Sequence, residues 1–356
     1  MSQAFDHFIG TKPVTDPQAV DWAALEAYLQ AKLPGFAGPL SVEQFKGGQS
    51  NPTFKLITPA RSYVMRAKPG PVAKLLPSAH AIEREFRVMK ALAGTEVPVA
   101  RMHVLCEDES VIGRAFYVMD FVDGRVLWDQ SLPDMTRAQR GAIYDEMNRV
   151  IAALHSVDYA ALGLADYGKP GNYFARQVAR WSKQYHASVT GPNPAMDALI
   201  DWLPQHIPPG DDTAIVHGDY RLDNLIFHPS EPRILAVLDW ELSTLGHPLA
   251  DFSYHCMAWH IPPGAFRGIG GLDHAALGIP SESDYIARYE QRTGRKIEGD
   301  WNFFLAYNLF RMAAILQGIA KRVEDGTAAS AQARQAGAGA KPLAELGWQF
   351  AQRARV

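Results

Sequence analysis

Cysteine is nearly absent from this chain: Cys106 and Cys256 are the only two in 356 residues. They lie far apart and form no CxxC pair, which argues against a disulfide framework and a zinc knuckle and leaves free thiols as the expectation. An excess of charge of one sign is also lacking, since the formal charge is −3. No global positive field draws in nucleic acid or an anionic membrane, so an anionic ligand has to be held by a local site. The opening residues, MSQAFDHFIG, have neither a basic stretch nor a sustained apolar core, and no later run reads as long and apolar enough to span a bilayer. The expectation is a cytoplasmic protein with no nucleic acid or membrane partner. No internal repeat is present.

What the chain does have is 47% hydrophobic residues and the length to bury a sizeable core in two lobes. Trp22, Leu25, Leu29 and Leu33 recur at helical spacing and predict a first helix over 21–33. Strand-like runs follow at 42–45, 53–57 and 63–67, then a helix over 78–92 capped by Ser78, then strands at 97–105 and 115–122. After Asp123-Gly124 the period becomes helical, with a stripe through Ile143, Met147, Val150, Ile151 and Leu154 and a helix over 173–186. Strand character returns at 214–217, 225–228 and 234–238, the last two joined by a Pro-rich hairpin turn. The Ala-, Gly- and Gln-rich stretch 326–340 reads as a mobile loop before a last helix over 343–352. The pattern is α+β: a small antiparallel β lobe over 1–122 and a larger, mostly helical lobe over 123–356.

Chemistry concentrates in His217-Gly218-Asp219-Tyr220-Arg221-Leu222-Asp223-Asn224 and, beyond the hairpin, in Leu238-Asp239-Trp240. Asn224 begins one strand and Asp239 ends its antiparallel partner, so the two face each other at one end of the ribbon. A carboxylate and an amide oxygen meeting there suit Mg²⁺. Asp219, on the loop before them, can take the proton of an attacking hydroxyl. Singly these are ordinary turn and capping residues; together they make H-x-D-x-x-x-x-N followed by D.

That arrangement resembles the aminoglycoside phosphotransferase and choline kinase-like family, and within it the subgroup whose kinase-like domain is fused to acyl-CoA dehydrogenases. The resemblance runs from Phe45 to about Arg322. It implies a bilobal protein-kinase-like fold and an ATP-dependent transfer of phosphate to a small-molecule hydroxyl, with GTP as a second possible donor. It also implies Asp219 as catalytic base, Asn224 and Asp239 as magnesium ligands, His217 as a brace of the loop and Asp251 as its prop. Gly47-Gly48-Gln49-Ser50-Asn51 resembles the family's short phosphate loop, which implies nucleotide contacts from Gly47, Gly48, Ser50 and Asn51. Arg66 resembles the choline kinase-like version of the lobe's cation, and Lys68, at the strand end, reads as solvated. Glu85 falls within the stripe of Ile82, Phe86, Met89 and Leu92 at about 100° per residue, whereas Glu83 falls outside it, so Glu85 is the expected partner of Arg66. Residues 117–124 resemble the hinge, which implies adenine contacts from the main chain of Asp120 and Val122.

Other clusters read as packing or as solvated surface. Cys256 and His260 have i, i+4 spacing but no further ligand pair. Arg176, Arg180 and Lys183 form a basic stripe, and Arg311, Gln317, Lys321 and Arg322 a second polar group. Trp240-Glu241 stands where a protein kinase has Phe-Gly, and no A-P-E segment follows. The competing readings are a catalytically silent nucleotide-binding module, an aminoglycoside kinase, and a hydrolase built on Asp219, Asp239 and the histidines.

Overall fold

The structure is a computed structural model and describes residues 9–14, 20–46, 51–69, 81–264, 268–327 and 331–354. Two compact units emerge, and no single cut in the chain produces them. Unit 1 holds Met1–Trp128, Ala160–Leu164 and Asp223–Ser243; unit 2 holds Asp129–Tyr159, Ala165–Leu222 and Thr244–Val356.

Unit 1 is built on a six-stranded antiparallel sheet of β1 (Thr11–Pro13), β2 (Ser41–Phe45), β3 (Thr53–Ile57), β4 (Ser62–Ala67), β5 (Met102–Cys106) and β6 (Phe116–Asp120), in the order β1-β2-β3-β4-β6-β5. Helix α1 (Trp22–Lys32) is capped by Asp21, whose carboxylate accepts from the Ala24 amide. Its Leu25 and Leu29 pack with Phe54, Leu56, Tyr63, Met65, Phe116 and Val118 in one core. Helix α2 (Ile82–Leu92) buries Ile82, Glu85, Phe86, Val88, Met89 and Leu92, the stripe read from the sequence with Glu85 inside it. Because side chains alternate along β4, Tyr63 and Met65 join the α1 core while Arg66 meets Glu85 of α2. Ser78, the expected helix cap, lies outside the described residues.

A second, three-stranded sheet in unit 1 pairs β7 (Arg125–Val126), β9 (Leu225–Phe227) and β10 (Ile234–Val237) in the order β10-β9-β7. The β9–β10 hairpin has the register Val237↔Leu225. One step further, the Leu238 amide donates to the Asn224 carbonyl at 2.8 Å.

Unit 2 is mostly helical: α3 (Arg137–Ser156), α4 (Tyr173–His186), α5 (Pro194–Trp202), α6 (Pro248–Cys256), α7 (His274–Leu277), α8 (Glu282–Thr293), α9 (Trp301–Glu324), α10 (Ala331–Ala338) and α11 (Ala340–Arg353). Short strands β8 (Ala214–Val216) and β11 (Thr244–Gly246) pair antiparallel; β8 leads into the loop that carries Asp219 and β11 into α6. Helix α9 is the core helix, with α4, α6, α10 and α11 packed around it.

Two expectations are corrected. Residues 326–340, read as a loop, contain α10: alanine is the best helix former, and Gly337 lets the helix lie so close to α9 that a β-carbon there would stand 2.9 Å from Ala320. By length and apolarity α9 is also a candidate membrane span, contrary to the reading that no such stretch exists. Its mean hydropathy reaches 1.4, and 72% of that window is buried in the fold, as suits a helix packed on several sides. Both cysteines are free and buried.

Candidate active site

In unit 1 the site centres on Arg66, which is 8% exposed. Its Nη2 donates to Asp239 Oδ1 at 3.0 Å and to Glu241 Oε2 at 3.1 Å. Its Nε lies 3.2 Å from Glu85 Oε2, close enough for an ion pair but not aligned as a hydrogen bond. Glu85 also accepts from the Asn51 amide at 3.2 Å and from the Tyr117 hydroxyl at 3.1 Å. Burial drives the Glu85 carboxyl up to about 7; Arg66 and the Tyr117 hydroxyl oppose the rise, and the charges of Asp239 and Glu241 add to it. Burial works against the Arg66 charge as well, yet Glu85, Tyr117, Asp239 and Glu241 together hold the guanidinium protonated.

Asp239 sits at φ 63°, ψ 61°, a left-handed conformation uncommon for a residue with a side chain. Trp240 follows, buried, with its indole donating to the Val237 carbonyl at 2.9 Å. The Leu238–Asn224 hydrogen bond puts Asn224 and Asp239 at the same end of the hairpin. Lys68 lies apart from this cluster, in a half-exposed pair with Glu83 at 3.2 Å.

The other expected nucleotide contacts are placed unevenly. Gly47, Gly48 and Ser50 lie outside the described residues. Asn51 is fully buried and turns its amide inward to Glu85. Asp120 ends β6 with its amide committed to the Arg101 carbonyl at 2.9 Å, so its carbonyl is what it has to offer a base. Its carboxylate is engaged by His103 at 2.6 Å. Val122 follows in irregular chain and is half-buried.

In unit 2 the loop carrying Asp219 is suspended from Asp251. Asp251 Oδ2 accepts from the His217 amide at 2.7 Å and Oδ1 from the Gly218 amide at 2.8 Å, while His155 Nε2 lies 3.2 Å from Oδ2. Burial pushes the Asp251 carboxyl up, but the bonds and charges of His155 and His217 outweigh it and hold the group below the usual carboxylate range. Gly218 has φ 83°, which favours glycine, and with that turn its amide serves Asp251 while its carbonyl accepts from Arg311 at 2.8 Å. His217 Nδ1 accepts from the Asp219 amide at 3.2 Å, so this histidine braces the loop. Asp219 itself accepts from the Tyr254 hydroxyl and lies 3.0 Å from Arg221 Nε.

Glu241, Arg221 and Tyr254 were missed by the sequence reading. A usable signal existed for Tyr254, which stands three residues after Asp251 on α6 and so shares its helix face.

Residues 41–285 match the phosphotransferase enzyme family. The chain belongs to that family. This phosphotransferase is 48% identical over 344 residues to acyl-CoA dehydrogenase family member 10 of Mus musculus, covering 96% of this chain and 32% of that protein. It is 42% identical over 352 residues to family member 11 of the same organism, covering 96% of this chain and 45% of that one. The chain thus spans less than half the length of these curated relatives. Among solved structures, a protein of Ralstonia eutropha, named only provisionally as an aminoglycoside phosphotransferase, is 70% identical with a TM-score of 0.89, covering 95% of this chain and all of that one. An aminoglycoside phosphotransferase in complex with AMP-PNP and hygromycin B shares the fold at 15% identity and a TM-score of 0.59, over 92% of this chain and 98% of its own. The fold is therefore the bilobal kinase-like one, an antiparallel-sheet lobe plus a helical lobe.

Proposed function

We propose that this phosphotransferase moves the terminal phosphoryl group of ATP to a hydroxyl of a small molecule. The observation that carries the reading is the cluster at Arg66: one guanidinium faces the three carboxylates of Glu85, Asp239 and Glu241. Such a surplus of negative charge calls for a further cation, and hard oxygen donors fit magnesium. Asn224 and Asp239 would hold it, and when bound it supplies charge neutralisation at the phosphate oxygens. Arg66, fixed by Glu85, positions phosphate, with residues 47–51 and the main chain of Asp120 and Val122 taking the rest of the nucleotide. Asp219 accepts the hydroxyl proton as the hydroxyl oxygen bonds to phosphorus, and the bond from phosphorus to the departing ADP oxygen breaks. Residues 1–122 are the nucleotide lobe and 123–356 the acceptor lobe in this scheme, in a cytoplasmic enzyme.

The acceptor is proposed to be a hydroxylated acyl thioester or a similar anionic metabolite. Arg221 pairs with Asp219, and Arg311 lies over the ring of Tyr254, so positive charge surrounds the base, an unfavourable setting for a polycationic aminoglycoside. The names of the curated relatives point the same way. A competition assay decides: with Mg-ATP, a hydroxyacyl-CoA series should be phosphorylated and an aminoglycoside series should not. Asp219→Asn should lower that turnover by about 10²- to 10⁴-fold. Efficient phosphorylation of kanamycin-like compounds would refute the acceptor class. Hydrolysis of a phosphomonoester to free phosphate, with neither acceptor nor ATP present, would refute the kinase.

A further inference from the structure

The geometry points to Tyr254 as a positioning residue for Asp219, held in turn by Arg311. This rests on the reading of Asp219 as the base. The Tyr254 hydroxyl donates to Asp219 Oδ1 at 2.5 Å, and Arg221 Nε lies 3.0 Å from that same oxygen. Two groups on one oxygen fix the rotation of the carboxylate, which a base needs if its proton-accepting direction is to be set before the acceptor arrives. Tyr254 is 6% exposed and grows from α6, the helix whose Asp251 suspends the amides of His217 and Gly218. One turn of one helix therefore fixes both the backbone of the loop and the side chain at its tip.

Arg311 completes the arrangement from α9. Its guanidinium lies 5.2 Å from the Tyr254 ring centroid and 5.8 Å from that of Trp181, and it donates to the Gly218 carbonyl at 2.8 Å. It is 8% exposed, and among the described residues it has no carboxylate within ion-pair distance. A buried guanidinium without a direct counter-ion is costly, and two aromatic faces with one carbonyl offset only part of that cost. Its position is explained by what it clamps: the ring beneath it and the residue before the base. Burial raises the phenol's pKa, and the neighbouring Asp219 charge raises it further, so Tyr254 stays protonated and acts as a donor.

Tyr254→Phe keeps the ring under Arg311 and removes only the hydroxyl. With Mg-ATP and the hydroxyacyl-CoA of highest turnover as probe, kcat should fall about 10- to 100-fold, the loss expected for one hydrogen bond to a charged group, while KM for Mg-ATP stays unchanged. In an Asp219→Asn background the same change should cost almost nothing, because the hydroxyl acts only through the carboxylate. Arg311→Lys, which keeps the charge but loses the planar fork, should lower kcat in the same direction. A purely structural tyrosine would give additive losses, and either that result or full turnover by Tyr254→Phe overturns the proposal. A crystal structure of Tyr254→Phe supplies a readout that needs no turnover: the Asp219 carboxylate should leave its present rotamer. An inactive parent with a displaced Asp219 in the variant refutes the kinase reading and supports the positioning role; an active parent with an unmoved Asp219 does the reverse.

Discussion

At the scale of single residues, the informative contrast is between Arg66 and Lys68, two cations near the end of one strand with opposite fates. Arg66 is buried against Glu85, whereas Lys68 and Glu83 are about one third exposed. Breaking a buried pair strands a charge and costs about 3–5 kcal/mol, while an exposed pair is worth at most about 1 kcal/mol. Arg66→Met and Glu85→Ala should each lower the urea midpoint and raise KM for Mg-ATP, and the double variant should cost less than the two singles added. Lys68→Ala should change neither measurement appreciably. Additive losses, or a larger effect at Lys68 than at Arg66, would disprove the pair. Much of this cluster was legible in advance: the position of Glu85 follows from helical period, strand alternation puts Arg66 and Lys68 on one face, and the family resemblance singles out Arg66 between them. Glu241 and Arg221 were not legible as site residues: each meets its partner through a turn or a tertiary approach, which no short-range period encodes, whereas the helical spacing of Tyr254 from Asp251 was there to be read.

At the scale of elements, β3, α4 and the α2 stripe are long enough to show a period and hold their expected residues, while the three-residue strands β8 and β9 were legible as continuous apolar runs. β1, β7 and β11 have two or three residues each, too few for alternation to register. Helix α10 escaped because its Ala- and Gly-rich composition resembles that of a linker. Helix α9 is apolar on nearly every side, and what fixes its seat is a buried amide. Asn308 donates to the Ala250 carbonyl at 2.9 Å and to Ser253 Oγ at 2.7 Å, tying α9 to the helix that carries Asp251 and Tyr254. Asn308→Ala leaves those acceptors without their donor in a dry setting and should destabilise the protein by about 2 kcal/mol. Urea unfolding measures this, and an unchanged midpoint would show that apolar packing alone seats the helix.

At the scale of the whole molecule, buried titratable groups give the two units opposite responses to pH. In unit 2, burial pushes the His255 imidazole down to about 4, and its Nε2 lies 2.8 Å from the Tyr285 hydroxyl. His247, which caps α6 through the Leu249 amide, is likewise pushed down to about 4 by burial. In the unfolded chain these rings take up a proton near about 6.5. Between those values the unfolded state binds more protons, so stability is full above about 6.5 and falls as the pH drops toward 4. By pH 5 the fully buried His255 alone should have cost about 2 kcal/mol. In unit 1 the sign reverses, because the Glu85 carboxyl is raised to about 7 and the folded state is the better proton acceptor below that value. Its contribution is present at low pH and is lost as the pH rises toward and through 7. Native-state hydrogen exchange, corrected for the intrinsic chemical rate, should therefore show α6 and α8 losing protection between pH 7 and pH 5 while α2 and β4 hold or gain it. Protection that changes with the same sign in all four elements would mean that these buried groups do not govern the response to acid.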